Sequence, residues 1–465
     1  MINHFNFRKF KDKILITNDF GRYMFLELDE FQKFISGKTD KDSEEYQKLV
    51  DDHFLIELPS ELLHDQMKIE LRDMKNYTLN GTCLHIFAIT NSCNVNCIYC
   101  QAKDKSSCLN GFMTIETARK AVDLALQSPA DDLTFEIQGG EPLLNFEVVK
   151  EIIEYTEEHK GDKNIFYTLV SNLVALNEEK LDYLISKNVS VCTSLDGPRN
   201  VQENNRKCKS GESTFDYAVK GIKLLREKNI CGGAIQTTTR YSLDYPEEIV
   251  NTYYELGLPG VFIRALTPLG FAKADWDRIG YTPKEFLAFY RNAFDRIIEI
   301  NKQGANFPEI HATYFLRKIM MGYSYNYMEL RSPCGASIGQ LSYYYDGSVY
   351  TCDEGRMVSE AGIKAFKLGN VYDNTYDELM STPICKSVAL SSVVESLPSC
   401  NDCAYQPYCG VCPILSYVHD GDIFPISPQS YRCEIYSGMM DIYFEKLYSG
   451  DEDVIRIFRS WLENE

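Results

Sequence analysis

The sequence predicts an α/β protein: a partial (β/α)6 barrel of the TIM type, preceded by a small N-terminal module and followed by a cysteine-rich C-terminal domain. Two observations carry this prediction. Between Leu84 and Lys302, strand-like apolar runs alternate six times with amphipathic helical stretches, the pattern of a parallel sheet with helices packed outside it, and six units rather than eight make an incomplete barrel. Eleven of the 16 cysteines fall in two groups, at Cys93–Cys100 and from Cys334 to Cys433.

Composition narrows the class. The 465 residues suffice for two or three domains with a sizeable core. With 44% hydrophobic and 25% charged residues the chain is ordinary for a soluble globular protein. No apolar run approaches the roughly 20 residues needed to span a bilayer, and Met1–Lys13 has no signal-peptide core, so no membrane is expected and a cytoplasmic location is. A net charge of −19 argues against nucleic acid as a partner, because counterion displacement needs a basic face. The cytoplasm keeps thiols reduced, so clustered cysteines there point to metal or iron–sulfur sites.

Residues 1–80 carry strand-like runs at Lys13–Thr17 and Arg22–Leu26 joined by the turn Asn18-Asp19-Phe20-Gly21, helical stretches at Leu28–Ile35 and Ser43–Asp52, and the apolar run Phe54–Leu58. They read either as a structural cap or as a winged-helix-like module, which resembles the domains that bind a leader peptide by strand addition. The barrel, residues 81–305, follows. Its strands are predicted at Leu84–Thr90, Leu133–Gln138, Asn164–Val170, Val189–Ser194, Ala234–Thr239 and Val261–Leu266. Its helices are predicted at Ile115–Leu126, Phe146–His159, Glu178–Lys187, Phe215–Lys228, Pro246–Leu256 and Pro283–Lys302. In parallel barrels the chemistry sits where the strands end.

There the first strand runs into Cys93-Asn94-Val95-Asn96-Cys97-Ile98-Tyr99-Cys100. Three thiolates on one tight loop can ligate three irons of a 4Fe–4S cluster and leave the fourth open. Zinc prefers four protein ligands, or three with histidine prominent, and the loop has no histidine. The CxxxCxxC loop resembles that of the radical S-adenosylmethionine (SAM) enzymes, with Tyr99 at the aromatic position before the last cysteine. That resemblance implies that the amino and carboxylate groups of SAM chelate the open iron and that reduction yields a 5′-deoxyadenosyl radical. Gln138-Gly139-Gly140-Glu141-Pro142, after the second strand, is by itself a tight turn; at this place it matches the family loop that binds the methionyl amino group. Asn172 after the third strand and Ser194, in Ser194-Leu195-Asp196-Gly197-Pro198 after the fourth, stand where the family holds the SAM ribose and carboxylate, although Asn172 is followed by leucine where glycine is frequent. Arg206 is a further carboxylate partner by the same resemblance, or a solvated surface residue, and Arg264 is similar.

Residues 306–333, with Tyr314, Phe315, Tyr323, Tyr325 and Tyr327, read as a connector whose aromatics are core. From 334 to 435 the cysteines recur as Cys334-x12-Gly-x4-Cys352, then Cys400-x2-Cys403-x5-Cys409-x2-Cys412, then Cys433, and Asp346-Gly347 marks a hairpin turn. This order resembles the SPASM domain of radical SAM peptide maturases, departing where the usual x3 of the last pair is x2. Taken alone, Cys409-Gly410-Val411-Cys412 is half of a zinc ribbon. The resemblance implies two auxiliary 4Fe–4S clusters, three clusters in all: Cys400, Cys403, Cys409 and Cys433 on one, and Cys334, Cys352 and Cys412 on the other, with Cys385, an open iron or a substrate thiolate as its fourth ligand. Cys83, Cys108, Cys192, Cys208 and Cys231 match no ligand spacing and read as buried. The tail, 436–465, reads as closing helices.

Together the motifs resemble a radical SAM/SPASM maturase of ribosomally made peptides, most like that of the His-Xaa-Ser system. This implies an oxidative thioether or carbon–carbon crosslink, a precursor peptide with a leader as partner, and flavodoxin or ferredoxin as electron donor. Alternatives are an anaerobic sulfatase maturase forming formylglycine and a zinc-containing peptide-binding protein. No catalytic side chain stands out.

Overall fold

The computed structural model describes residues 1–57, 60–102, 111–322, 327–425, 428 and 430–463, with side chains at all of these except 60–64 and 66. Leu58, Cys108, Tyr323 and Tyr325 lie outside the described residues.

The chain opens with an antiparallel meander of β1 (Asn6–Phe10), β2 (Lys13–Thr17) and β3 (Tyr23–Leu26). Helices Leu28–Ile35, Glu44–Asp51 and Ser60–Lys75 follow, and Ile16, Leu26, Phe31, Phe34, Leu49 and Phe54 make a small core. Strand β1 was not legible in the sequence because its pattern is inverted. Asn6 is buried and Phe7 exposed, since the Asn6 amide donates to the carbonyls of Asn401 (2.9 Å) and Cys403 (3.2 Å).

The six predicted barrel strands are present as β4 (Leu84–Ala88), β6 (Asp132–Gln138), β7 (Asn164–Val170), β8 (Ser190–Ser194), β10 (Cys231–Thr237) and β11 (Phe262–Arg264), all parallel. Two short strands lie outside that sheet, β5 (Val95–Cys97) and β9 (Arg206–Cys208), paired antiparallel. The helices predicted at Phe146–His159 and Pro283–Lys302 have those limits. Alternation explains the layering. On β6, Leu133, Phe135 and Ile137 are buried against Ala121, Val122, Val149 and Ile152 of the outer helices, while Thr134, Glu136 and Gln138 face the concave lumen and are partly exposed.

The sheet does not stop at the barrel. Strand β12 (Gln340–Tyr344) pairs parallel with β4, and β13 (Ser348–Tyr350) and β14 (Lys367–Asn370) continue it antiparallel, giving the order β11-β10-β8-β7-β6-β4-β12-β13-β14. The Asp346-Gly347 turn joins β12 to β13, with Gly347 at φ +83°, where a side chain would be strained. Helices Tyr431–Ser449 and Glu452–Glu463 close the chain over Pro283–Lys302 through Phe294, Tyr443, Phe458 and Trp461. Among the described residues no helix is long and apolar enough to cross a membrane.

Candidate functional site

The loop Cys93–Cys100 leaves the C-terminal end of β4 and is clasped by the β5–β9 ladder, with Val95 opposite Cys208 and Cys97 opposite Arg206. Behind it lies a fully buried carboxylate, Asp196. It accepts from the Tyr99 hydroxyl (2.9 and 2.8 Å), Arg206 Nε (3.2 Å), Asn205 Nδ2 (3.2 Å) and the Thr237 amide (3.3 Å). The Arg206 guanidinium lies 5.2 Å from the Tyr99 ring centre and points Nη1 at Cys97 Sγ, 3.7 Å away. Arg206 is therefore engaged within the chain. Burial favours its neutral form, but Asp196, Tyr99 and Cys97 outweigh that and raise its pKa further.

The Gln138-Gly139-Gly140-Glu141 turn runs beside the residues that lead into the cysteine loop. Ile89 donates to the Gln138 carbonyl, Gly140 to that of Thr90 (2.7 Å) and Glu141 to that of Ser92 (2.8 Å). A Cβ on Gly139, at φ +146°, would stand 2.3 Å from the Thr90 oxygen, and one on Gly140 2.1 Å from the Ser92 oxygen. The two glycines thus serve a close approach of chain to chain. Glu141 is fully buried and accepts from the Leu143 amide (3.0 Å), Ser171 Oγ (2.8 Å) and the Asn172 amide (2.8 Å). Burial raises its pKa while these donors work against the rise, and a carboxylate with three donors retains acceptor capacity. Asn172 also donates from Nδ2 to Asn94 Oδ1 (2.8 Å) and towards Cys93 Sγ (3.6 Å). The leucine after it, Leu173, sits at φ +63°, the left-handed region that explains why glycine is frequent there. Ser194 ends β8 on the lumen face, beside Ile235 of β10.

The C-terminal cysteines separate into two sets. Cys400, Cys403, Cys409 and Cys433 line a cavity of about 280 Å³, bordered also by Arg264, Glu329, Arg432 and Cys412. Cys334, Cys352 and Cys412 pack together around Ala336, Phe366 and Ile414. Burial pushes the Cys409 thiol up to about 12, and the neighbouring Cys433 and Cys403 push the same way. Burial likewise raises Cys352, with Glu354, Cys412 and Cys334 adding to it. Cys385 is the exception. It packs with Leu379 and Tyr376 in the core outside the sheet, because helix Pro383–Leu390 turns it that way, and the structure does not bring it into the set of three.

The donor chemistry fits iron–sulfur clusters. Burial pushes the Cys97 thiol up to about 12 against the pull of Arg206, so the proton leaves when a metal replaces it. N–H groups aimed at sulfur, as from Arg206 and Asn172, also occur at Cys352 (Gly355 amide, 3.3 Å) and Cys403 (Tyr405 amide, 3.4 Å), and such bonds tune cluster potentials. Among the described residues no three His, Cys, Asp or Glu side chains close on a point that a single ion could occupy. A cluster takes one thiolate per iron and holds its ligands farther apart.

Residues 87–252 match the model of the radical SAM superfamily. The chain carries a radical SAM domain. Radical SAM domains bind SAM and a 4Fe–4S cluster. An uncharacterized protein of Methanocaldococcus jannaschii is 33% identical over 39% of this chain, which covers 62% of that protein's length. The cysteine-type anaerobic sulfatase-maturating enzyme of Clostridium perfringens strain 13 is 25% identical over 77% of this chain and 95% of its own. Among solved structures, native anSMEcpe with bound AdoMet superposes with a TM-score of 0.69 at 22% identity, covering 80% of this chain and all of that one. Streptococcus suis SuiB bound to precursor peptide SuiA does so with 0.55 at 16% identity, covering 92% of this chain and 99% of that one. At these identities the structural likeness is one of fold. The radical SAM match takes in the cysteine loop, the Gly139-Gly140-Glu141 turn, Asn172, Ser194 and Arg206. Sequence reading left Asp196 without a role and passed over Glu329 and Arg432, whose partners lie far away in the chain.

Proposed function

We propose that this chain is a radical SAM enzyme that installs an oxidative crosslink, thioether or carbon–carbon, in a ribosomally made precursor peptide. When bound, a 4Fe–4S cluster on Cys93, Cys97 and Cys100 supplies the electron that cleaves SAM to the radical that abstracts substrate hydrogen. Tyr99, Gln138, Gly139, Gly140, Glu141, Asn172 and Ser194 would surround SAM, with the fully buried Glu141 holding the Gly139-Gly140 turn against Ser171 and Asn172 through its three donors. Arg206 holds the loop through Asp196 and Cys97. The observation that carries the reading is the division of the C-terminal thiols into a set of four and a set of three. Two auxiliary 4Fe–4S clusters fit that division, and a net oxidation needs such electron acceptors. A zinc protein would need neither set beside a radical SAM domain.

The domain division follows: 1–80 for leader recognition, 81–305 for the radical SAM core, 306–333 as connector, 334–435 as a SPASM domain and 436–465 as closing helices. Flavodoxin or ferredoxin would deliver electrons. The peptide in the SuiB complex supports a peptide partner, while the match along nearly the whole sulfatase-maturating enzyme favours formylglycine formation as the second reading. Anaerobic coexpression with candidate precursor peptides, and separately with a sulfatase-derived peptide, followed by mass spectrometry, tests both. Loss of two hydrogens is the expected outcome, an aldehyde selects formylglycine, and absence of 5′-deoxyadenosine from reduced enzyme and SAM rejects radical chemistry.

A further inference from the structure

Lys318 is a buried cation without a carboxylate. It lies on helix Ile310–Met321 and is only 6% exposed. Its Nζ donates to the carbonyls of Leu330 and Tyr408, the latter at 3.4 Å, and among the described residues no carboxylate pairs with it. Glu395, on the wall of the same small cavity, is engaged instead by Lys75 (2.6 Å) and the Ser332 hydroxyl. Buried charges are as a rule paired, and two carbonyl dipoles do not cancel an ammonium. Burial pulls the Lys318 pKa down to about 8 and Lys75 adds to this, while Cys409 opposes it, so the side chain is charged at neutral pH.

Beside it stands the set of four cysteines. Tyr408, whose carbonyl Lys318 binds, ends the turn Gln406–Tyr408 that leads into Cys409. Lys318 and Cys409 border one cavity of about 20 Å³, and Cys409 and Gln406 also border the cavity of about 280 Å³ that the four thiols line. Cys409 thus stands between the ammonium and the thiol cavity. The N-terminal turn packs against the same place: the Tyr408 hydroxyl donates to the Gly21 carbonyl (3.1 Å), and Gly21 borders the small cavity. With so little solvent at the ammonium, its field is weakly screened. Arg264 and Arg432, on the larger cavity, share the carboxylate of Glu329, whereas Lys318 has none.

We propose that Lys318 is the counter-charge of a 4Fe–4S cluster on Cys400, Cys403, Cys409 and Cys433 and raises the reduction potential of that cluster. A cluster on four thiolates is an anion that gains a further negative charge on reduction, and its potential follows the charge around it, so a fixed ammonium favours the reduced form. The inference rests on the proposed function in taking the four thiols as a cluster site. Its test uses the full chain, anaerobically reconstituted with iron and sulfide, and a potentiometric titration at pH 7 followed by electron paramagnetic resonance. The signal of the four-cysteine cluster is the one missing from a Cys433→Ala sample. Lys318→Met, close in volume and uncharged, is expected to keep its iron and to lower the midpoint potential of that signal by about 59 mV, a tenfold change in a one-electron equilibrium, while the other signals keep theirs. Lys318→Arg, which retains the charge, is expected to stay near the wild-type potential. Loss of the signal from Lys318→Met but not from Lys318→Arg would support the same role, read as cluster retention. An unmoved potential in Lys318→Met, equal shifts in both variants, or loss of the cluster from both, which marks a packing role, would overturn it. Iron, zinc and sulfide analysis of the wild type separates the two readings. Zinc or no metal on the four cysteines rejects the auxiliary cluster and the role of Lys318 with it; a cluster present with an unmoved potential rejects the role of Lys318 alone.

Discussion

Asp196 shows how much one side chain can hold without touching a ligand. Four donors from three separate stretches of chain end on it, and one of them, Arg206, extends to Cys97. Replacing it by asparagine would leave a nearly buried guanidinium uncompensated, and breaking such a pair costs about 3–5 kcal/mol. Asp196→Asn is therefore expected to unfold at markedly lower denaturant and to retain less iron on the Cys93–Cys100 loop, whereas Tyr99→Phe, which removes only a neutral donor, should lose about 1 kcal/mol. Equilibrium unfolding with iron analysis of both variants checks the ranking; equal effects would reject the ion pair as the main term. The sequence showed Asp196 inside a recognisable turn. It could not show the role, because the donors come from residues 99, 205–206 and 237, and only the folded barrel assembles them.

Elements were legible where one periodicity ruled. The six parallel strands and their helices each bury one face, so alternation and 3.6-residue spacing survive in the sequence. Strand β1 was missed because it spends its polar residue inward, and the helix Arg199–Asn205 because it is only two turns long. That inward asparagine has a consequence. Strand β1 holds the backbone of the Cys400–Cys409 block through Asn6, and β2 holds it through Thr17, whose hydroxyl donates to the Ala404 carbonyl (2.8 Å). Two hydrogen bonds are worth about 1–3 kcal/mol. Asn6→Ala is accordingly expected to speed amide exchange across residues 400–409 by about one to two orders of magnitude while leaving β6 and β7 at wild-type rates. Hydrogen-exchange mass spectrometry reads this directly, and unchanged exchange in the block would mean that the N-terminal sheet does not brace it.

At the scale of the whole molecule, barrel, connector and C-terminal helices converge on Glu329. Arg264 at the end of β11 binds its Oε1 at 2.5 Å, and Arg432 of helix Tyr431–Ser449 reaches its Oε2 at 3.4 Å and its carbonyl at 3.1 Å, with the Tyr436 hydroxyl 3.3 Å from Oε2. Gly410, inside the last cysteine pair, exists for the same junction, since a Cβ there would stand 2.5 Å from the Glu329 carbonyl oxygen. The cysteine spacing was readable from sequence, but this lock was not, because its charges stand 65 and 103 residues from Glu329. Burial alone would raise the Glu329 carboxyl; the two guanidiniums reverse this and hold it at about 2 against an ordinary 4.5. A carboxyl depressed in the folded state contributes stability that is complete above about 4.5 and is lost as pH falls towards 2. The gap of about 2.5 units corresponds to roughly 3 kcal/mol. Glu329→Gln is thus expected to lower the unfolding free energy by about 3 kcal/mol at pH 7, and the difference from wild type should shrink by about 1.4 kcal/mol for each unit below pH 4.5. A difference that stays constant from pH 7 down to 3.5 would mean that the carboxylate charge does not lock the three parts together. A difference that shrinks on this schedule would make Glu329 the electrostatic tie between the end of the barrel and the cavity of cysteines.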